Sequence, residues 1–341
     1  MFQPIRTARL LIRGMVATDA EEFWCRRSDP EVARHQNWAL PYPRETAERI
    51  ATEVGAMDGP ENGEWWMATV VGPETGDQVG ELALHLSEDG HTAEVGYTLA
   101  RRHWGRGYAV EAVEALVRYL FETLGVTRAF GMLHPDNRAS AMVLERTGFL
   151  FEGHTRSSYW VGDEVSDDWI YGMTREDWEA WRDRPRIPPG KVRLVEVTPD
   201  NLMTVLGLAT HKTQESFVAP MGKSLAQALT PPVEDGHPLR PWFRAIEADG
   251  VIVGFVMLAL SDEHVAEPFL WRLLIDRMHQ HRGVGRRALD LVEDEMRTRG
   301  TRAVMVSWVD GKGSPGPFYE GRGYVRTGEK DGDEAVARKG L

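Results

Sequence analysis

One cysteine, Cys25, stands in 341 residues. That excludes an internal disulfide framework and a cysteine-rich zinc site, and it fits a reducing compartment. Cys25 reads as a small core residue. No apolar run approaches membrane-spanning length, and arginines interrupt the opening segment "MFQPIRTARLLIRGMV", which therefore lacks the core of a signal peptide. The expected location is the cytoplasm, with no membrane partner. Nor is any long stretch poor enough in apolar residues to stay disordered: 42% of the chain is hydrophobic and 27% charged. Basic residues are in the minority, 40 Lys and Arg against 52 Asp and Glu. The net charge of −12 argues against nucleic acid as partner, suits cationic small molecules, and serves solubility in any case. His279 and His281 share a loop without a third ligand, so no metal is expected.

A chain of this length exceeds what one ordinary core supports, which predicts two domains. The break falls at "RDRPRIPPG", where three prolines follow the tryptophan-rich helix "TREDWEAW". Prolines lack backbone donors and disfavour helix before them, so residues 183–190 read as a stiff, extended linker between domains 1–182 and 191–341.

The same order of elements recurs on both sides. In the first half "RLLIRGM", "WMATVV", "QVGELALHL" and "TAEVGYTLA" read as strands and "DAEEFWCRRS" as a helix. A long helix follows with Val110, Val113, Leu116, Val117, Leu120 and Phe121 at helical spacing and Gly125 as its stop. Strand "TRAFGML", helix "RASAMVLERTG" and a closing hairpin complete it. The second half runs "VRLVEVT", helical "PDNLMTVLGLA", strands "WFRAIEA" and "VIVGFVMLAL" joined by Asp-Gly, "FLWRLLI", helix "RRALDLVEDEMRTRG", "RAVMVSWV", "FYEGRGY" and a hairpin. Two α+β domains result.

Between a strand and the longest helix of each half lies a glycine loop. Arg102, Gly105 and Gly107 form R-x-x-G-x-G, and Gln280, Gly283 and Gly285 form Q-x-x-G-x-G. Glycines let backbone N–H groups approach a ligand, the helix N-terminus adds partial positive charge, and Arg106 and Arg282 add cations, so each loop suits a pyrophosphate. One such loop is more often a plain turn; two in equivalent contexts favour binding. Neither loop has the order of a nucleoside-triphosphate or dinucleotide site.

With "EVGYTLARRHWGRGYAVEA", "HPDNRASAMVLERTGF" and "YWVGDEVSDDWIYGMTREDW", the first half resembles GNAT acetyltransferases of the branch that acetylates ribosomal-protein N-termini. With "QESFVAPMGKSLAQAL", "LWRLLIDRMHQHRGVGRRAL" and "FYEGRGYVRTGE", the second half resembles bacterial spermine/spermidine (diamine) acetyltransferases of the same family. The resemblance implies two tandem GNAT domains, each a mixed, mainly antiparallel sheet flanked by helices, with acetyl-coenzyme A as co-substrate. It implies a bulge splaying the strand before each loop, so that backbone near Leu99, Leu274 and Ile275 faces the pantetheine arm. The implied cofactor contacts are Arg102, Gly105, Arg106, Gly107, Tyr108, Ala109 and Asn137 in the first half. In the second they are Gln280, His281, Arg282, Gly283, Val284, Gly285 and Arg286.

A protonated amine cannot attack a thioester until its proton leaves, so the chemistry needs a base and a donor for the departing thiolate. Glu94, in the strand entering the first loop, is a candidate base, or else an exposed strand-end charge. Ser140 matches the family's sulfur-contacting hydroxyl, although Asn137 and Ser140 are also ordinary capping residues. Tyr319 matches the family's general acid, or packs beside Phe318. Glu267 and Asp276 flank the corresponding second strand without a clear role. Two departures from the diamine pattern stand out: "VAPM" lacks the asparagine that commonly follows that proline, and Pro315, Gly316 and Pro317 are expected to delay the helix bearing Tyr319. Trp65, Trp66 and Trp104 read first as core residues and second as walls of a cation pocket.

The leading expectation is acetyl transfer to a primary amine of a small cationic molecule such as a polyamine. Acetylation of protein N-termini or antibiotics by the first domain is one alternative. The other is a regulatory or scaffolding acetyl-coenzyme A-binding module with one degenerate domain. A homodimer is compatible with all three.

Overall fold

The computed structural model describes residues 2–72, 75–161, 164–234 and 236–341. The chain divides into two compact units, Met1–Asp183 and Arg184–Leu341.

In the first unit the strands are β1 (Ile5–Arg6), β2 (Leu11–Gly14), β3 (Trp65–Val71), β4 (Gln78–Leu86), β5 (Thr92–Leu99), β6 (Arg128–Leu133), β7 (Leu150–Val161) and β8 (Glu164–Thr174). They form one sheet in the order β1-β2-β3-β4-β5-β6-β8-β7, antiparallel except for β5 against β6. Helices α1 (Ala20–Arg27), α2 (Pro30–Ala33), α3 (Arg44–Gly55), α4 (Tyr108–Arg118), α5 (Arg138–Arg146) and α6 (Arg175–Asp183) flank it. Val113, Leu116 and Val117 of α4 are buried as their spacing requires, and residues 119–124 widen into a π-helical turn that buries the adjacent Leu120 and Phe121. Gly125 ends it in the left-handed conformation. Cys25 is exposed rather than buried, because α1 turns Phe23 and Arg26, three apart, to the interior and leaves Cys25 on the outer side.

The second unit carries β9 (Val192–Val195), a two-residue ribbon of β10 (Val233–Glu234) and β11 (His237–Pro238), then β12 (Pro241–Ala248), β13 (Val251–Ala259), β14 (Phe269–Ile275), β15 (Ala303–Val309), β16 (Val325–Asp331) and β17 (Glu334–Gly340). Its main sheet runs β16-β17-β15-β14-β13-β12-β9. Helices are α7 (Leu202–Leu206), α8 (Met221–Leu229), α9 (Val284–Thr298) and α10 (Gly316–Glu320). One buried cluster, with Leu258, Leu270 and Val306, joins the sheet to Leu289 and Val292 of α9; another joins Phe255, Met257 and Leu274 to Val205 of α7 and Met221 of α8. Residues 184–191 carry no helix or strand. Arg282 Nε donates to Ile187 O at 2.8 Å, and Asp249 accepts from the N–H groups of Gly190 and Lys191 at 3.1 and 2.8 Å.

Each sheet opens into a cleft. Parallel pairing of β5 with β6 stops at Glu94 and Phe130, and that of β14 with β15 at Leu270 and Val306. The expected bulge is present in β14, where Trp271 is skipped between the pairs Met257–Arg272 and Leu258–Leu270. It is absent from β5, whose register with β4 is unbroken. There the Tyr97 hydroxyl donates to Ser140 O of α5 at 2.9 Å.

Candidate active sites

Helix α4 begins at Gly107 (φ 78°) and α9 at Gly283 (φ 76°), both left-handed and both without a side-chain cap. Their first-turn N–H groups therefore have no cap from the chain. This fixes how the loops correspond: Gly107 matches Gly283, and the 3-10 turns Arg101–His103 and Arg277–His279 precede them at the same distance. Trp104 Nε1 donates to Leu99 O at 2.8 Å just as Gln280 Nε2 donates to Ile275 O at 3.0 Å. Matching Arg102 with Gln280 and Gly105 with Gly283, as the sequence pattern suggests, is thus two residues out. Gly105 (φ 74°) corresponds to His281 (φ 59°), and Ala109 to Gly285. The error arises because a G-x-G pattern slides by two when one loop has His and the other Ala at its outer positions.

The cations fall out unequally. Arg106 is exposed, whereas Arg282 is buried, its guanidinium bound to Ile187 O and, at 3.0 Å, His279 Nδ1. Arg286, exposed in the first turn of α9, and His281 line the cavity of the second unit instead. Arg102 is turned to Glu22 at 3.0 Å and Gln78 O at 3.3 Å. The first loop is braced by Glu111, which accepts from Thr7 Oγ1 at 2.6 Å and Arg9 N at 2.8 Å. Burial alone would raise the Glu111 carboxyl, but these bonds and Arg9 hold it below its ordinary value.

Ladder alternation decides which backbone faces each cleft. Ala100 N bonds Val79 O, so Thr98 and Gly96 turn to β4 while Leu99, Tyr97 and Val95 turn to the opening. Asp276 N bonds Val253 O, which turns Leu274 to β13 and leaves Ile275 and Leu273 facing the cleft. The cleft-facing backbone is thus that of Leu273 and Ile275, not the expected Leu274. Both ladders close tightly over a glycine: a Cβ at Gly80 would meet Thr98 O at 2.3 Å, and one at Gly254 would meet Leu274 O at 2.5 Å.

Glu94 stands where the first cleft opens. Trp65, His85, Glu94 and Phe130 form one cross-strand row, so the carboxylate lies between an imidazole and a ring on the same sheet face. Burial pushes the Glu94 carboxyl above its ordinary value, His85 opposes this, and the like charge of Asp168 on β8 adds to it. Trp65 is 45% exposed on this row, with its ring 5.2 Å from His85, whereas Trp66 is 2% exposed and belongs to the core. Ser140 Oγ lies 2.8 Å from Tyr97 Oη, and Asn137 caps α5 by accepting from Ser140 N at 3.1 Å.

The second unit holds a cavity of about 760 Å³ lined by the α9 loop, β14 and Tyr319. Tyr319 is 7% exposed and stacks on Trp308 at 5.7 Å; burial raises its phenol above the ordinary range. Helix α10 starts at Gly316, so the prolines do not delay it: Pro315 is its N-cap and Pro317 sits in the first turn, where no backbone donor is needed. Glu267 is engaged by Arg338 at 2.8 and 2.5 Å, and Asp276 accepts from Met278 N and Ala209 N. At the register of Glu94 the second unit has Phe269, since His85 pairs with Glu94 as Ala259 pairs with Phe269. The carboxylate that sequence reasoning missed is Glu334, which accepts from Ser307 Oγ on the cavity wall. The two residues are 27 apart, and only sheet pairing brings them together.

Comparison with known proteins bears on both units. Residues 9–150 match the family described as "Acetyltransferase (GNAT) domain", and residues 210–324 the family described as "Acetyltransferase (GNAT) family". The chain is 27% identical over 180 residues to the uncharacterized N-acetyltransferase p20 of Bacillus licheniformis, covering 52% of this chain and 98% of that protein. It is 31% identical over 148 residues to the uncharacterized protein YkkB of Bacillus subtilis, covering 42% of this chain and 84% of YkkB. To the ribosomal protein uS5 alanine N-acetyltransferase of Escherichia coli it is 28% identical over 92 residues, covering 27% of this chain and 47% of that enzyme. Among the described residues no helix is long and apolar enough to cross a membrane, and no cluster of His, Cys, Asp and Glu could hold a metal.

Proposed function

The chain belongs to the GNAT acetyltransferase family, whose members are acetyl-coenzyme A-dependent acyltransferases, and from that premise we propose that its first unit acetylates a primary amine on a small cationic molecule such as a polyamine. The observation that carries this reading is Glu94, a half-buried carboxylate at the mouth of the cleft with a second carboxylate, Asp168, in its field and exposed Trp65 in its row. Two anionic groups and an aromatic face suit an ammonium.

The uncapped first turn at Gly107, Tyr108 and Ala109 fits a pyrophosphate, as does the turn at Gly283, Val284 and Gly285. A Cβ at Gly283 would meet no atom of the chain within 4 Å, and one at Gly107 would meet only Arg9 Nη2, at 3.4 Å. Val95 and Tyr97 offer backbone donors and acceptors to the pantetheine arm. Acetyl-coenzyme A supplies the activated acetyl thioester. Glu94 takes a proton from the ammonium, its raised pKa bringing it nearer to working pH, and Ser140 Oγ offers a proton to the leaving sulfur. In the second unit Tyr319, on the cavity wall, takes the donor role.

A second reading rests on the likeness to the uS5 alanine N-acetyltransferase: the acceptor is then the N-terminal amine of a protein. Initial rates with spermidine, putrescine and an alanine-led peptide separate the two. Spermidine or putrescine should give the higher kcat/KM, and Glu94→Gln should lower it ~100-fold, within the range of a general base. Turnover confined to the peptide would transfer the proposal to the second reading, and unaltered turnover in Glu94→Gln would remove the base.

A further inference from the structure

The second unit differs from the first where it would receive an acceptor. Counted from the sequence, residues 1–183 carry 31 acidic and 18 basic residues, all of the latter Arg, a net of −13; residues 184–341 carry 21 acidic and 22 basic, a net of +1. Along the strand that enters the loop, Glu94 is matched by Phe269, and Gly96 by Arg272, since Ala83 pairs with Gly96 as Met257 pairs with Arg272. The second cavity includes Arg272, Arg286, Arg322, His279 and His281 in its wall and not one Asp or Glu among the described residues.

Four of those five side chains belong to the α9 loop, α9 itself or the turn after α10, the end that suits pyrophosphate; of these, Arg322 is paired with Asp290, and burial lowers the His279 imidazole below its ordinary value. Arg272 is on the β14 wall, held toward α8: it donates to Gln227 Oε1 at 2.8 Å and to Trp271 O at 2.6 Å. Its Nε is buried without a partner, and no carboxylate lies within 4 Å among the described residues. Glu334, the acidic group that acts on it, is bound to Ser307 Oγ. A guanidinium fixed by two neutral acceptors in a wall without carboxylates is ready for an anion, and its planar fork matches a carboxylate.

We propose that the second unit acetylates an amine that also bears a carboxylate, as an amino acid does, with Arg272 binding that carboxylate. This rests on the reading of the unit as an acetyltransferase. In the balanced reaction the acetyl C–S bond breaks as the C–N bond forms. The ammonium loses two protons; one ends on the sulfur, by way of Tyr319, and the other passes toward the Ser307–Glu334 pair.

The test uses the full chain carrying Gly107→Val, so that the first loop is disabled. Isothermal titration with acetyl-coenzyme A comes first; a chain that binds none sinks the acetyltransferase reading of this unit, and the inference with it. Given binding, kcat/KM is measured for phenylalanine against phenethylamine, lysine against cadaverine, and O-phosphoethanolamine, and binding of each probe is followed by titration in the presence of coenzyme A. Each amino acid should exceed its decarboxylated partner at least tenfold in both readouts. Arg272→Gln should bring that ratio toward unity through KM, and Arg272→Lys, which keeps the charge, should retain part of it. Equal rates within each pair, a preference for the decarboxylated amine, or O-phosphoethanolamine ahead of every carboxylate would overturn the assignment. So would an unchanged ratio in Arg272→Gln.

Discussion

Glu94 and Tyr97 are three residues apart on β5, and so project to opposite faces of one strand. Glu94 meets His85 across the sheet, and Tyr97 reaches the α5 residue Ser140, 43 positions away. The tyrosine thereby orients the hydroxyl assigned to the leaving sulfur. Tyr97→Phe keeps the ring and removes the hydroxyl's bonds to Ser140 O and Ser140 Oγ, each worth about 1 kcal/mol. Steady-state kinetics should show kcat of the first unit down ~5-fold with KM for acetyl-coenzyme A little changed, and an unchanged kcat would return Tyr97 to packing alone. For Glu94 the sign follows from its raised pKa. The folded state holds the proton more tightly than the unfolded chain, so stability from this group is present at low pH and lost as pH rises through the folded value. At neutral pH Glu94→Gln should therefore be more stable than the parent while losing turnover. In urea titrations the gain should shrink as pH falls below the ordinary carboxylate range; a gain that grew in acid would contradict a raised pKa.

At the level of elements the loops make a sharper prediction than either alone. Because His281 occupies a left-handed position equivalent to Gly105, a side chain is compatible with the loop there. No such tolerance is shown at Gly107 or Gly283, which begin the two helices. Titration of acetyl-coenzyme A should give near-parental affinity for Gly105→His, and affinity reduced at least tenfold at the altered unit for Gly107→Val or Gly283→Val. The reverse order would restore the correspondence suggested by the sequence pattern. Strands, the two long helices and the repeated order were legible because alternation and 3.6-residue spacing are strong in them. Of "PDNLMTVLGLA" only Leu202–Leu206 is helical. Helix α3 is buried through Ala47, Ala51 and Val54, and alanine is a faint signal of an interior face. Which backbone faces each cleft followed from one ladder hydrogen bond per strand, and no sequence spacing carries that parity. Glu334, Arg272 and Tyr97 were missed because their partners come from other elements.

Over the whole chain, charge is distributed by unit rather than evenly. A net of −13 sits in residues 1–183, which contain no lysine, while the remainder, at +1, is close to neutral. A field of that sign raises the encounter rate of a cationic amine with the first unit, and salt screens it over a Debye length of ~8 Å near 0.15 M. Local attraction at Glu94 and Asp168 acts at shorter range and is screened less. Raising salt from about 0.02 to 0.5 M should therefore lower kcat/KM of the first unit for spermidine severalfold, chiefly through KM, and leave kcat nearly constant. The same change should alter acetylation by the second unit much less, because residues 184–341 themselves carry almost no net charge to screen. Equal salt dependence in both units would mean that local contacts, rather than the charge of residues 1–183, govern how the acceptor arrives.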